Sequence, residues 1–231
     1  MKLLLVDTST QDGAIAMWLD GILNRTISWS SKHNHATELM PAIESLINAA
    51  SLRVQDLDGI VVAQGPGGFS SLRAGISVSK GLAYAGGIPI VGVSSLEAVA
   101  YPSRDLGFPV VGLMAAGSGA VAWARFRQRS SGWVRLSRDK VSIVDEILGM
   151  TGRHLLLAGE GADSLRDRFE HALGPKAHFM LASWPIQRLL GLGQLGAIRL
   201  AATGSNQIAD VTPRYLRPPG ITPAKPPKRI G

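Results

Sequence analysis

The chain has 231 residues, enough to bury the core of one large domain or two small ones. With 45% apolar against 18% charged residues it is too hydrophobic for disorder over most of its length, and the absence of cysteine excludes disulfides, thiol nucleophiles and cysteine-ligated metals. The formal charge of +7 is concentrated at residues 124–140 and 213–231, where cations far outnumber acids, and such clusters suit a phosphate-bearing partner.

Residues 3–6 form an apolar strand that ends in Asp7-Thr8-Ser9-Thr10, and the short N-terminal apolar run has no cleavage site of the signal-peptide kind. Residues 13–19 and 22–30 follow as strands about Asp20-Gly21, a hairpin-turn pair. His33 and His35 would share one face of a strand and thereby a metal, but only Glu38 is near as a third ligand, which favours a structural role. Residues 37–50 read as a helix with Leu39, Ala42, Ile43, Leu46 and Ile47 on one stripe, and Pro41 removes one backbone bond from its first turns.

Residues 59–63 are a short β-branched strand, followed by the corner Gln64-Gly65-Pro66-Gly67-Gly68 and a helix from Phe69 to about Ala85. A glycine corner ahead of a helix attracts anions. No Gly-Lys-Ser/Thr follows it, however, and the nearest lysine, Lys80, lies deep in the helix, so a tight turn that lets two backbones approach is the better reading. Ala74, Gly75, Ser77, Ser79 and Gly81 would admit a close helical neighbour, and the next strand spans 89–93.

A break at 101–108 marks a boundary, and the order then restarts: strand 110–115, hairpin strands 120–128 and 133–137, helix 141–150, strand 155–158. The uncharged stretch 106–124 approaches membrane-spanning length, but Pro109 and its glycines make it turns and strands. Trp123, Phe126 and Trp133 interleave with arginines, either as base-stacking platforms or as the buried face of a hairpin. Gly159-Glu160-Gly161 leads into a helix that ends near Leu173. Gly191, Gly193 and Gly196 spell a formal dinucleotide fingerprint, but a helical pattern over 184–202 runs straight through them.

Three motifs carry a resemblance. Gly65-Pro66-Gly67-Gly68-Phe69-Ser70-Ser71-Leu72-Arg73-Ala74-Gly75 with Lys80-Gly81-Leu82-Ala83, the run 91–98, and Pro213-Arg214-Tyr215-Leu216-Arg217 closely resemble the TsaB (YeaZ) family of bacterial tRNA threonylcarbamoyladenosine biosynthesis. The run 35–41 matches the family's His-Ser-Glu pattern with a one-residue shift. Ser70-Ser71 stands where Thr-Gly is usual, and residues 114–119 depart from an Asp-Ala-Arg-x-Gly-Glu run.

The resemblance, over residues 3–217, implies an α/β chain of two ribonuclease-H-like domains of the actin-like ATPase (ASKHA) fold, each a mixed sheet with helices. These would be residues 1–103, joined by the segment 186–217, and a reduced domain at 104–185, with a basic, proline-rich disordered tail at 218–231. It further implies a cytoplasmic, non-catalytic scaffold subunit. That subunit would act through a TsaD-like catalytic partner on adenosine of tRNAs reading codons that begin with A. A TsaE-like ATPase would complete the complex, with ATP and metal on the partners and no cofactor on this chain.

The partner surface, for a TsaD-like subunit or a second copy in a homodimer, is expected at His35, Glu38, Leu39, Ala42 and Leu46 with Phe69, Leu72, Arg73, Ile76 and Lys80. Asp7, Thr8 and Ser9 resemble a degenerate first phosphate loop, to which Asp12 adds an unfavourable charge, and tRNA is expected to meet the basic segments. The competing readings are an independent actin-like ATPase or kinase that uses Asp7, and a stand-alone RNA-binding module. A peptidase finds no nucleophile, base and oxyanion site together.

Overall fold

The computed structural model describes residues 1–31, 35–117, 119–149, 154–180, 182–203 and 208–216. Strand β1 (Lys2–Asp7) is buried at every position after Lys2, because helices cover both faces of the sheet it centres. Strand β2 (Asp12–Leu19) pairs antiparallel with β1, and β3 (Ile22–Ser30) antiparallel with β2. Asp20 and Gly21 join them with φ of 48° and 94°, the left-handed geometry that an Asp-Gly hairpin turn takes. Helix α1 (His35–Ala49) leads to β4 (Gly59–Gly65), parallel to β1, and helix α2 (Phe69–Gly86) to β5 (Ile90–Ser94), parallel to β4. The first sheet therefore runs β3-β2-β1-β4-β5.

Helix α3 (Ser95–Ala100) and a 3-10 turn at Tyr101–Leu106 cross to a second sheet. It comprises β6 (Val110–Ala115), β7 (Val121–Arg129), β8 (Gly132–Arg135) and β9 (Lys140–Ser142). Helix α4 (Val144–Leu148), β10 (Leu155–Ala158), α5 (Glu160–Ser164), α6 (Arg166–Leu173) and β11 (Ala177–Phe179) follow. Its order, β11-β10-β6-β7-β8 with β9 beside β7, repeats that of the first sheet. In each, a hairpin flanks the leading strand on one side and two parallel strands flank it on the other. Helix α7 (Trp184–Thr203) then packs back on the first sheet.

Period-two alternation sorts the strands onto four apolar layers. Leu4, Val6, Ile15, Met17, Ile60 and Val62 meet α1 and α2, while Leu3, Leu5, Ala14, Ala16, Trp18 and Val61 meet α7. In the second sheet Val111, Leu113, Leu155 and Leu157 meet α4, α5 and α6, while Val110, Leu156 and Ala158 meet α3 and Trp184. The helix expected over 141–150 is shorter, because Lys140, Val141 and Ser142 pair with β7. The edge strand β11, three half-buried residues long, has no counterpart among the elements expected from the sequence.

The glycines of α7 pack; they form no nucleotide loop. A Cβ at Gly191 would fall 1.9 Å from the carbonyl oxygen of Ala98, at Gly193 2.3 Å from the Trp18 ring and at Gly196 2.3 Å from Val61. They let an unbroken helix lie directly against α3 and the first sheet.

Candidate functional site

At the carboxyl end of β1 the chain folds into a tight turn around its first carboxylate. The Ser9 amide and hydroxyl donate to Asp7 Oδ1 at 2.9 and 2.6 Å. Thr8 Oγ1 donates to the carbonyl of Ser71 at 2.7 Å, and the Gly68 amide to the carbonyl of Ser9 at 3.0 Å. A Cβ at Gly67 would lie 2.3 Å from Ser9 O, and one at Gly75 2.3 Å from Thr8 Oγ1. The glycine corner thus presses its backbone against the β1–β2 loop, and its Gly68 amide is already taken.

Arg188, from the second turn of α7, is the largest fully buried side chain among the described residues. Its Nε donates to Asp7 Oδ2, Nη1 to Glu160 Oε1, and Nη2 to Thr10 Oγ1 at 3.0 Å and to the carbonyl of Asp12 at 3.3 Å. Burial by itself would lower the pKa of this guanidinium, but the Asp7 and Glu160 charges and hydrogen bonds outweigh it and hold the pKa above the usual arginine range. Glu160 opens α5 behind Gly159, whose φ of 116° places its α-carbon where a Cβ would strike Leu113 O. One guanidinium therefore ties the first sheet's loop to the second sheet's strand–helix corner.

In front of this cluster lies a cleft of about 660 Å³ lined by Ser9, Thr10, Ser31, Ser70 and Ser71 and by Asp12 and Glu160, with no lysine or arginine among the described residues of its lining. These residues do not fit a magnesium nucleotide. Both Asp7 oxygens are engaged, Glu160 is already paired with Arg188, and no lysine or arginine among the described residues of the lining is there to meet a polyphosphate. Asp7, Thr8 and Ser9 do come together as the expected loop, but their polar groups are satisfied internally and all three are buried. Arg188 has a signal in the sequence: it sits four residues after Trp184 and four before Leu192, on the apolar stripe of its helix.

The residues singled out on α1 and α2 divide sharply. Leu39, Leu46, Leu72 and Ile76 are core residues turned toward the chain's own interior, which corrects their reading as partner contacts. The apolar stripe of each helix is what the sheet buries. His35 is also buried, and its Nδ1 accepts a hydrogen bond from Trp29 Nε1 at 3.2 Å. Ala42 packs half-buried on the same core, Glu38 and Lys80 are half-buried, and Glu38 Oε2 has no hydrogen-bond partner among the described residues. His33 lies outside the described residues.

The outward stripe of these helices carries Met40, Ser77, Gly81 and Tyr84, of which Tyr84 is 81% exposed and Met40 44%. A Cβ at Gly81 would meet no atom of the described residues within 4 Å.

Phe69 and Arg73 are engaged by the chain's own C-terminal segment. Arg73 lies 3.9 Å over the Phe69 ring and donates to the Tyr215 hydroxyl at 2.9 Å, and the Phe69 and Tyr215 rings pack at 4.8 Å. The Arg214 amide donates to Gln64 O at 2.7 Å and Gln64 Nε2 to Thr212 O at 3.2 Å, so residues 212–215 strap the glycine corner. Of the aromatic residues among the arginines, Trp123 and Phe126 are buried, and Trp133 stacks on Phe126 at 5.4 Å. Trp123 packs in the core on one face of the hairpin and Phe126 with Trp133 in the core on the other, and the base-stacking reading falls.

A family model described as TsaD, tRNA N6-adenosine threonylcarbamoyltransferase, matches residues 27–222. The chain is 31% identical over 221 residues to the tRNA threonylcarbamoyladenosine biosynthesis protein TsaB of Bacillus subtilis, across 94% of each chain. It belongs to the TsaB family. Its likeness to a full transferase is partial: the tRNA N6-adenosine threonylcarbamoyltransferase of Solidesulfovibrio magneticus is 33% identical over 51% of this chain but only 36% of that protein. Among solved structures, YeaZ from Pseudomonas aeruginosa matches with a TM-score of 0.71 at 23% identity, covering 93% of this chain and 99% of the other. The activator of 2-hydroxyisocaproyl-CoA dehydratase from Clostridium difficile, solved with ADPNP, matches at 0.54 and 10% identity over 88% and 97%. These structures place the TsaB-family chain in the actin-like, ASKHA fold. No helix among the described residues is long and apolar enough to cross a membrane.

Proposed function

We propose that the chain is a non-catalytic, cytoplasmic scaffold subunit of a complex that forms threonylcarbamoyladenosine in tRNAs reading codons that begin with A. It holds a TsaD-like catalytic subunit on the outward face of α1 and α2, and a TsaE-like ATPase completes the set. The same face serves a homodimer in the free protein. ATP and metal belong to the partners, and tRNA meets this chain through its basic segments.

The observation that carries the reading is Gly81. An exposed glycine inside an α-helix costs about 1 kcal/mol against alanine, and nothing among the described residues fills the space that a Cβ would take. With Ser77 one turn before it and the exposed Tyr84 after it, this stripe suits the close approach of another helix. An independent ATPase or kinase acting through Asp7 would need that carboxylate free, and Arg188 holds it. The test is co-purification with TsaD-like and TsaE-like subunits, followed by a modification assay with each subunit omitted. Turnover of ATP by this chain alone, or undiminished modification without it, would refute the proposal.

A further inference from the structure

Odd-numbered residues of β7 share one face of the second sheet. Val121 and Trp123 are buried there beneath α4 and α6, against Val144, Ile147 and Phe169. The same face then emerges with Arg125, Arg127 and Arg129, and the last two are exposed. The other nearby cations are paired: Arg135 with Asp139 and Glu97, Lys140 with Glu146 at 2.7 Å. Arg127, Arg129 and, on the loop beyond β8, the exposed Arg138 have no carboxylate partner among the described residues.

We infer that this arginine face of the β7–β8 hairpin docks the phosphate backbone of RNA. A strand presents alternate side chains about 6.8 Å apart on a rigid support, and the guanidinium fork matches phosphate oxygens bidentately. The hairpin's aromatic rings are turned to the opposite face or buried, with Trp133 stacked on Phe126 and edge-on to Tyr101. Among the described residues no ring is left on the arginine face for a base to stack on, so recognition there is of backbone charge and independent of sequence. The choice of RNA over another polyanion rests on the proposed function, which brings tRNA to the complex.

The test is titration of fluorescent unmodified tRNA with the full-length chain, alone and in its complex, across a series of salt concentrations. The combined variant Arg127→Ala, Arg129→Ala, Arg138→Ala is compared with the lysine versions, with circular dichroism as a folding control. For every phosphate that the variant leaves unneutralised, the slope of log affinity against log salt falls by about 0.7 to 0.9. The alanine variant is therefore expected to show a slope shallower by on the order of two units and an affinity about tenfold or more weaker, with the lysine variant intermediate. Equal tRNA affinity in the folded alanine variant overturns the inference, as does failure of the wild-type chain and complex to bind tRNA. Release of the TsaD-like subunit with tRNA affinity intact also overturns it and assigns the face to an acidic protein. Arginine-dependent tRNA binding by a complex that makes no threonylcarbamoyladenosine would keep the surface and sink the proposed function.

Discussion

Arg188 and Asp7, 181 residues apart in the chain, form an ion pair with neither side chain exposed to solvent. Glu160 completes the cluster from the second sheet. The cleft lies where loops of the two sheets meet, and a side chain of the protein itself bridges them. The bridge neutralises the first-strand carboxylate and leaves a cleft lined by hydroxyl-bearing residues and acids.

Arg188→Met should therefore destabilise the fold strongly, because it leaves Asp7 buried and uncompensated. Breaking one side of a buried pair costs about 3–5 kcal/mol, which for a chain of this size lowers the melting temperature by roughly 10 °C. Adding Asp7→Asn to Arg188→Met should recover part of that stability, a coupling that a thermal-denaturation double-mutant cycle reads directly. Additive losses would show that the two residues do not stabilise one another.

Gly81→Trp separates partner binding from folding. Its side chain would enter open space, so the variant should melt within about 1 kcal/mol of the parent. Co-purification with a TsaD-like subunit should nevertheless be abolished. Leu72→Asp is the contrasting control: it buries a carboxylate in the core and should unfold the chain, so any failure to hold the partner there reports on folding.

The fold is legible where the chemistry is local. Asp20-Gly21 announces its hairpin, the run 59–75 its strand, corner and helix, and the restart beyond residue 108 the repeated sheet order. The proposed partner face is harder to read for a physical reason. Periodicity reveals which stripe of a helix is apolar, and that stripe is the one the chain's own sheet claims. Leu39, Leu46, Leu72 and Ile76 therefore point inward; of the small residues read as admitting a helix, Gly75 and Ser79 also face inward while Ser77 and Gly81 face out, and the outward Met40 and Tyr84 have no pattern to mark them. Arg188 escapes a sequence reading because its partners lie far away in the chain, and only its place on an apolar stripe hints at burial. Phe69 and Arg73 meet Tyr215 across 142 or more residues, a relationship that no local pattern encodes.

The C-terminal strap should matter to stability as well as shape. Tyr215→Ala removes the ring against Phe69 and the acceptor of Arg73, an aromatic pair worth about 0.5–1.5 kcal/mol and one hydrogen bond. A drop of about 1–2 kcal/mol in urea denaturation is expected, and wild-type stability would show the strap to be passive.

Asp56 offers a clean titration. Side-chain and backbone hydrogen bonds from Arg53 bring its carboxyl down to about 2 from an ordinary 3.8. Because the folded value is depressed, its contribution to stability is present above about pH 4 and fades as pH falls toward 2. Carboxyl NMR should place its midpoint near 2 in the parent and higher in Arg53→Ala, part of the way back toward the ordinary value, because the backbone amide at position 53 still donates to the carboxylate.

The most direct measurement is the initial rate of threonylcarbamoyladenosine formation by purified TsaD-like and TsaE-like subunits, supplied with the wild-type chain, with Gly81→Trp, or with neither. A scaffold acting through the outward face of α2 gives modification with the wild-type chain only. Full-rate modification in the absence of the chain, or with folded Gly81→Trp in its place, would contradict that role.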